Sequence, residues 1–331
     1  MENIGVNGFG RIGRYFTRLS LLRKDLNVTV VNDLADIKTL AHLLKYDSVH
    51  GKLNLDFEIH GNTLHFSNGK KIIFTNEKNP ESIPWALHNV GIVIESTGLF
   101  LSKSDAGRHL QGGAKKVIIS APGKGEDLKT VVLGVNEHLL DDSDLILSNA
   151  SCTTNSAAPL LKVLLKMCEV ENAYITTVHS YTSDQRLHDA PHSDLRRARA
   201  AAISIVPTST GAAGALIKIF PQLEGRMNGN AFRVPVPDGS MTDLTLVVKN
   251  PPTVDEINSA MKIASEGDLK GILRYNEDPI VSIDIVGDPN SCIFDAELTS
   301  VTGNLIKVVG WYDNEAGYSN RLIDLVLKLQ H

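Results

Sequence analysis

Cys152 sits in the run Ser148-Asn-Ala-Ser-Cys-Thr-Thr-Asn155, directly after the apolar stretch Leu145-Ile-Leu147. That context places a thiol where a strand hands over to a helix. The unpaired N–H groups of a first helical turn favour an anion, so the expectation is a thiol with a lowered pKa, usable as a nucleophile. His179 ends a second apolar run, Ala173 to Val178. A cysteine with a histidine held on a neighbouring strand is a constellation for covalent acyl chemistry. The alternative for Cys152 is a buried small hydrophobe, but its neighbours Ser151, Thr153, Thr154 and Asn155 are polar. Cys168, in a Leu/Met-rich helix, and Cys292, in a strand, fit that plainer role better.

A second constellation lies at the N-terminus. Gly8-x-Gly10-x-x-Gly13 follows the short strand Ile4 to Asn7 and opens a helical pattern running to Leu22. The spacing allows a tight turn and close approach of a pyrophosphate to the helix start. The β-branched strand Val28 to Val31 then ends in Asn32-Asp33, twenty residues after Gly13. This strand–turn–helix context with a trailing carboxylate is what a dinucleotide fingerprint requires. Asp33 would accept hydrogen bonds from ribose hydroxyls and repel a 2′-phosphate, favouring NAD over NADP; its plainer alternative is a helix cap. After His179 comes a polar loop, Ser180-Tyr-Thr182-Ser-Asp184-Gln-Arg186, followed by Arg196-Arg197, Pro207-Thr-Ser-Thr210-Gly211 and Phe232-Arg233. Thr182, Ser151, Thr210, the Gly211 amide, Arg197 and Arg233 could form two anion pockets around the thiol, since arginine forks and hydroxyls suit phosphate. The alternative is a solvated Arg-rich loop or a subunit salt-bridge network, and Arg196 and Arg199 suit that reading.

Composition narrows the class. A chain of 331 residues with 42% hydrophobic content is long enough for two domains. The net charge of −5 gives no bulk electrostatic case for nucleic acid or an anionic membrane. Three widely spaced cysteines make neither a disulfide framework nor a C-x-x-C metal site. No signal peptide is expected ahead of the first strand, and no stretch reaches the ~18 apolar residues of a membrane span. A cytoplasmic enzyme is the expectation.

The elements that must position these residues alternate in the first half. Leu40 to Tyr46 reads as helix, Leu53 to Phe74 as an antiparallel excursion punctuated at Gly61-Asn62 and Asn68-Gly69, and Ser104 to Gln111 as a crossover helix. Ile92 to Ile94 and Val117 to Ile119 are continuous apolar runs of the kind buried on both faces of a parallel sheet. The pattern predicts an α/β protein: a Rossmann-type dinucleotide-binding domain over residues 1–149, then an α+β catalytic domain over 150–314 with a mostly antiparallel sheet. A C-terminal helix within 315–331 is expected to pack back on the first domain. In the second domain a helix is predicted over Ala157 to Met167, with Pro159 near its start. Strands are predicted at Ala231 to Val234, Leu244 to Val248 and Cys292 to Trp311, and helices at Gly214 to Ile219 and Val254 to Ala264.

With these residues in view, the chain resembles the phosphorylating glyceraldehyde-3-phosphate dehydrogenases from end to end. The matching strings are Asn7-Gly-Phe-Gly-Arg-Ile-Gly-Arg14, Leu43 to Ser48, Ser96-Thr-Gly98, Ser148 to Asn155, Thr177-Val-His-Ser-Tyr-Thr182, Pro207 to Ala213, Arg233-Val-Pro-Val-Pro237 and Trp311-Tyr-Asp-Asn-Glu315. The resemblance implies Cys152 as nucleophile and His179 as base. It implies that Thr182 and Arg233 hold the phosphate of D-glyceraldehyde 3-phosphate, that Ser151, Arg197, Thr210 and Gly211 hold attacking inorganic phosphate, and that Thr153 completes the substrate lining. Gly8, Gly10, Arg11, Ile12, Gly13, Asp33, Lys78, Ser120 and Asn314 would bind NAD, and the chain would be a homotetramer in glycolysis or gluconeogenesis. Ser156 stands where a second cysteine is common, Gly214 where lysine is frequent, and Ala316 where a bulkier residue is usual. Ala190-Pro191 is intermediate between the Leu-Pro of NAD-preferring members and the Ala-Ser of NADP-accepting ones, which implies some NADP use. Erythrose-4-phosphate dehydrogenase is the near alternative, opposed by the complete Thr208 to Ala213 run. An aspartate-semialdehyde-type dehydrogenase does not fit the long match, and a non-catalytic binding protein is opposed by intact Cys152, His179 and Arg233.

Overall fold

A computed structural model describes residues 2–330. The chain divides into two compact units, one of Met1–Val131, Glu137–Ala150 and Ser319–His331, the other of Val132–Asn136 and Ser151–Tyr318.

In the first unit, β1 (Asn3–Asn7) leads through α1 (Arg11–Leu21) to β2 (Asn27–Asn32), and α2 (Ile37–Lys45) follows. A short ribbon, β3 (Tyr46–Asp47) with β4 (Gly51–Lys52), precedes the hairpin strands β5 (Phe57–His60), β6 (Thr63–Phe66) and β7 (Lys71–Thr75). Then come β8 (Val90–Glu95), the crossover helix α3 (Lys103–Gln111), β9 (Lys116–Ile119), β10 (Lys129–Thr130) and β11 (Ile146–Ser148). The sheet order is β10-β11-β9-β8-β1-β2-β7-β6-β5. Pairing is parallel from β10 to β7 and antiparallel only through the β5–β6–β7 excursion. After β1 the chain moves outward to β2 and β7, then returns to β8 on the other side of β1. That reversal is the switch point at which a doubly wound sheet opens a crevice beyond its strand ends. Every residue of β8 is buried, as expected for a strand covered on both faces.

The second unit is built on α4 (Cys152–Met167), β12 (Glu169–Ser180), β13 (Val206–Thr208), α5 (Ala212–Ile219), β14 (Met227–Val234) and β15 (Ser240–Lys249). It continues with α6 (Val254–Glu266), β16 (Leu273–Asn276), β17 (Cys292–Thr302) and β18 (Leu305–Tyr312); the last helix, α7 (Ala316–Leu329), belongs from Ser319 onward to the first unit. Its sheet runs β13-β14-β12-β15-β18-β17-β16. The pairs β12–β14 and β16–β17 are parallel and the other four are antiparallel, so the α+β expectation holds. Helix α4 lies on this sheet against β15, β17 and β18, with Leu160, Leu161 and Leu164 fully buried.

One local expectation needs correction. The helix predicted from Ala157 begins at Cys152, which puts Pro159 in its interior. Proline there cannot donate to the carbonyl of Asn155, and burial of the helix's apolar face outweighs that loss. The short strands β13 and β16 carry no alternating pattern long enough to announce them, yet β13 lies beside the end of β14, where Arg233 sits.

Candidate active site

The chain turns sharply into α4. Ala150 has φ +55°, a left-handed conformation that costs a residue with a Cβ about 1 kcal/mol. Ser151 then caps the helix, its Oγ accepting from Thr154 N at 3.0 Å and sharing a hydrogen bond with Thr154 Oγ1 at 2.8 Å. Cys152 is the first helical residue, partly open to solvent, with Sγ 3.5 Å from His179 Nε2. His179 is fixed from the sheet. Parallel pairing of β12 with β14 sets it directly beside Arg233.

Two neighbours compete for His179 Nδ1. His179 Nδ1 lies 2.7 Å from the Ser180 carbonyl and 2.6 Å from Arg233 Nη1. A ring nitrogen cannot donate to one and accept from the other with the same orbital. The carbonyl only accepts and the guanidinium only donates, so the two ask opposite tautomers of Nδ1; the tautomer that pairs with the carbonyl leaves the Nε2 lone pair facing the thiol. Arg233 Nη1 also reaches the Ser180 carbonyl at 3.2 Å.

Burial works against one expectation. Burial pushes the Cys152 thiol up, and the opposing pull of Arg233 and of the Thr153 N–H and hydroxyl is the smaller effect. The helix start does favour the thiolate, but desolvation wins. His179 is driven down to about 3, by burial first and by the Arg233 charge second. Both shifts favour the neutral thiol beside the neutral imidazole over the ion pair.

The remaining predicted residues of the second unit are more tightly held than the sequence implied. The Thr153 hydroxyl is buried on Tyr312 OH at 2.9 Å. Tyr312 is also packed edge-on to the His179 ring, with centroids 6.0 Å apart. Sequence reasoning assigned Tyr312 no role, and its only signal was membership of the Trp311 to Glu315 string. Arg197 is held by Asp184, by Thr208 Oγ1 at 2.8 Å and by Asp194 at 3.6 Å. An incoming phosphate would have to compete with those carboxylates. Thr210 Oγ1 accepts from Ala212 N at 3.1 Å, and Gly211 caps the start of α5. Thr182 is half-buried, its N–H donating to Gln185 Oε1 at 3.3 Å. Asn314 is oriented by two buried serines: Ser180 Oγ and Ser240 Oγ both donate to its Oδ1, at 2.9 and 2.7 Å. Its amide N–H groups are thereby turned away from the serines.

The nucleotide residues belong to the first unit. A cavity of about 320 Å³ at the β1/β8 switch point is lined by Gly8, Gly10, Asp33, Lys78, Ser96 and Thr97, among others. Gly8 has φ +90°, and a Cβ there would meet Thr97 N at 2.7 Å; a Cβ on Gly13 would collide with the Gly8 carbonyl oxygen. At Gly10 the space a Cβ would enter is open. This is a cradle kept free for a ligand at a helix start, where the N–H groups of Arg11 and Ile12 lie in the first turn. The Arg11 side chain is not part of it, being bound two-pronged to Asp47 at 2.6 and 3.1 Å. Asp33 is anchored by Phe9 N on one oxygen at 2.7 Å and Ala35 N on the other at 3.0 Å. Ser120 follows β9 and donates its N–H to the Glu95 carbonyl at 2.9 Å.

Family profiles agree with this division. Residues 2–103 match the glyceraldehyde 3-phosphate dehydrogenase NAD binding domain, and residues 151–314 match the glyceraldehyde 3-phosphate dehydrogenase C-terminal domain. The chain belongs to the glyceraldehyde-3-phosphate dehydrogenase family. It is 54% identical to glyceraldehyde-3-phosphate dehydrogenase 2 of Streptomyces avermitilis, over 98% of this chain and 97% of that protein. It is 53% identical to the glyceraldehyde-3-phosphate dehydrogenase of Geobacillus stearothermophilus over 97% and 96%, and 54% identical to that of Mycobacterium avium over 98% and 97%. As a family member it is an NAD-dependent oxidoreductase, and the glycine cradle with its anchored Asp33 fits that cofactor.

Proposed function

We propose that this enzyme oxidises D-glyceraldehyde 3-phosphate with NAD and captures inorganic phosphate to give 1,3-bisphosphoglycerate, the step shared by glycolysis and gluconeogenesis. The observation that carries the reading is the Cys152 Sγ to His179 Nε2 contact with Arg233 alongside. His179 takes the thiol proton, sulfur adds to the aldehyde carbon, and the imidazolium returns that proton to the developing alkoxide, giving a thiohemiacetal whose oxygen the first-turn N–H of α4 helps to hold. His179 then removes the hydroxyl proton as hydride leaves that carbon, and a Cys152 thioester remains. NAD, when bound, supplies the hydride acceptor. A phosphate oxygen attacks the thioester carbon, the C–S bond breaks, and the thiolate takes back a proton from the His179 imidazolium.

Arg233 and Thr182 serve the phosphate already on the substrate. Ser151, Arg197, Thr210 and Gly211 serve the phosphate that enters. Gly8, Gly10, Arg11, Ile12, Gly13, Asp33, Lys78 and Ser120 would hold NAD, with Asn314 presenting its amide. Residues 1–149 with the helix of 315–331 form the NAD-binding domain, and 150–314 the catalytic domain. The working form is a homotetramer in the cytoplasm, and the long polar loop from Thr182 to Pro207 helps build a subunit interface. The three free cysteines suit a reducing compartment. Light scattering that found a fully active monomer would reject the tetramer.

The direct test is a steady-state assay with glyceraldehyde 3-phosphate or erythrose 4-phosphate, each with NAD or NADP, with and without phosphate. Phosphate-dependent NADH formation from glyceraldehyde 3-phosphate, lost in Cys152→Ser, is the expected result. Preference for erythrose 4-phosphate without phosphate would favour the near alternative, and no turnover at all would favour a binding protein.

A further inference from the structure

Beneath the nucleotide cavity, a chain of side-chain hydrogen bonds crosses four adjacent strands at their C-terminal ends. Glu95, at the end of β8, is 1% exposed and accepts four donors. Thr97 N and Thr97 Oγ1 donate to Oε1 at 2.8 and 2.5 Å; Asn7 Nδ2 and His109 Nε2 donate to Oε2 at 2.6 and 2.9 Å. From Asn7 the chain continues across the sheet. Asn32 Nδ2 donates to Asn7 Oδ1 at 2.8 Å, and Thr75 Oγ1 and Glu77 N donate to Asn32 Oδ1 at 2.8 and 2.9 Å.

The direction of this ladder is dictated from both ends. A carboxylate only accepts, so Asn7 must offer its NH2 to Glu95 and its oxygen to Asn32. Asn32 must then offer NH2 to Asn7 and oxygen to the Glu77 N–H. On the other side of Glu95, the Trp85 indole N–H donates to His109 Nδ1 at 3.1 Å. An indole nitrogen cannot accept, so His109 carries its proton on Nε2 and points it at Glu95. Trp85 and His109 are both fully buried. Asn7, Asn32, Glu77 and Thr97 also line the cavity, next to Asp33 and the glycine cradle.

We propose that Glu95 is a positioning residue for the dinucleotide: its all-accepting carboxylate, steered by His109 and Trp85, fixes the amide and hydroxyl orientations that shape the adenosine–pyrophosphate end of the cavity. Glutamine is no substitute, because its NH2 must face either the two Thr97 donors or the Asn7 and His109 donors. The inference rests on the cofactor reading, whose own failure would show as wild-type protein that binds neither NAD nor ADP-ribose.

Calorimetric titration of the apo-protein with NAD and with ADP-ribose tests it. Glu95→Gln should weaken both ligands by the same factor, tenfold or more, since the defect lies under the half they share. His109→Phe, which keeps an apolar-compatible ring but removes one donor to Glu95, should weaken both at least threefold. Alkylation of Cys152 by iodoacetamide in the absence of nucleotide should stay within twofold of wild type in each. Affinity within twofold of wild type in a folded Glu95→Gln protein would overturn the proposal. So would alkylation falling as far as binding, which marks general loss of structure. Should Glu95→Gln not fold, the His109→Phe titration decides by the same criteria.

Discussion

Among single residues, Arg233 acts on the reacting pair in two directions. Its charge draws the Cys152 thiol down against burial and pushes His179 away from protonation. Arg233→Gln should therefore slow iodoacetamide labelling of Cys152 at neutral pH and displace the rate–pH profile to higher pH, quite apart from lost substrate phosphate binding. A profile that stayed in place would show that Arg233 does not reach the sulfur electrostatically. His179 carries a stability prediction. Its folded value of about 3 lies below the ordinary 6.5. A depressed histidine contributes stability fully above its unfolded pKa and loses it as pH falls from there toward the folded one. At pH 4.5 the loss is about 2–3 kcal/mol relative to pH 7. Urea midpoints at the two pH values should therefore drop more for wild type than for His179→Asn. Equal drops would mean that His179 is not held neutral by the fold.

Whole elements depend on side chains distant in sequence, and α1 is the clearest case. The Lys70 ammonium, from the turn between β6 and β7, donates to the carbonyls of Ser20, Arg23 and Leu26 at 2.6, 2.5 and 2.9 Å. Asn68 Nδ2 adds a bond to the Leu21 carbonyl at 2.9 Å. A cation at a helix C-terminus complements the macrodipole and its orphan carbonyls. Lys70→Met should cost about 2 kcal/mol in urea unfolding; less than about 0.5 kcal/mol would show that water replaces the ammonium. The Asn68-Gly69 pair was readable as a hairpin turn. Its second duty as a clamp on α1 was not, because nothing in local pattern says which helix a turn will meet.

For the enzyme as a whole, the proposed place of Asp33 at the nucleotide ribose carries a prediction on cofactor choice. Asp33 lines the nucleotide cavity with both carboxylate oxygens held by backbone N–H groups, so it cannot swing aside easily for a 2′-phosphate. NAD should exceed NADP in kcat/KM by tenfold or more, about 1.4 kcal/mol. Asp33→Ala should narrow that gap. NADP matching NAD in the unmutated enzyme would shift the decision to the Ala190-Pro191 loop.

The glycine cradle, the trailing Asp33 and the polar cap around Cys152 were legible before any fold was known, because each is a contiguous string whose chemistry follows from local backbone geometry. The alternation of apolar runs likewise carried the doubly wound sheet, since a strand buried on both faces must be apolar throughout. Pairs far apart along the chain were settled only by folding. The β12–β14 register alone sets Arg233 beside His179, and burial opposes the lowering expected of the Cys152 thiol. Tyr312 meets His179 only through the β15–β18 half of the sheet, and Glu95 meets Asn7 and His109 only because β8 returns beside β1. Hydrogen-bond direction and desolvation depend on every neighbour at once, and those neighbours are supplied by sheet register rather than by spacing in the chain.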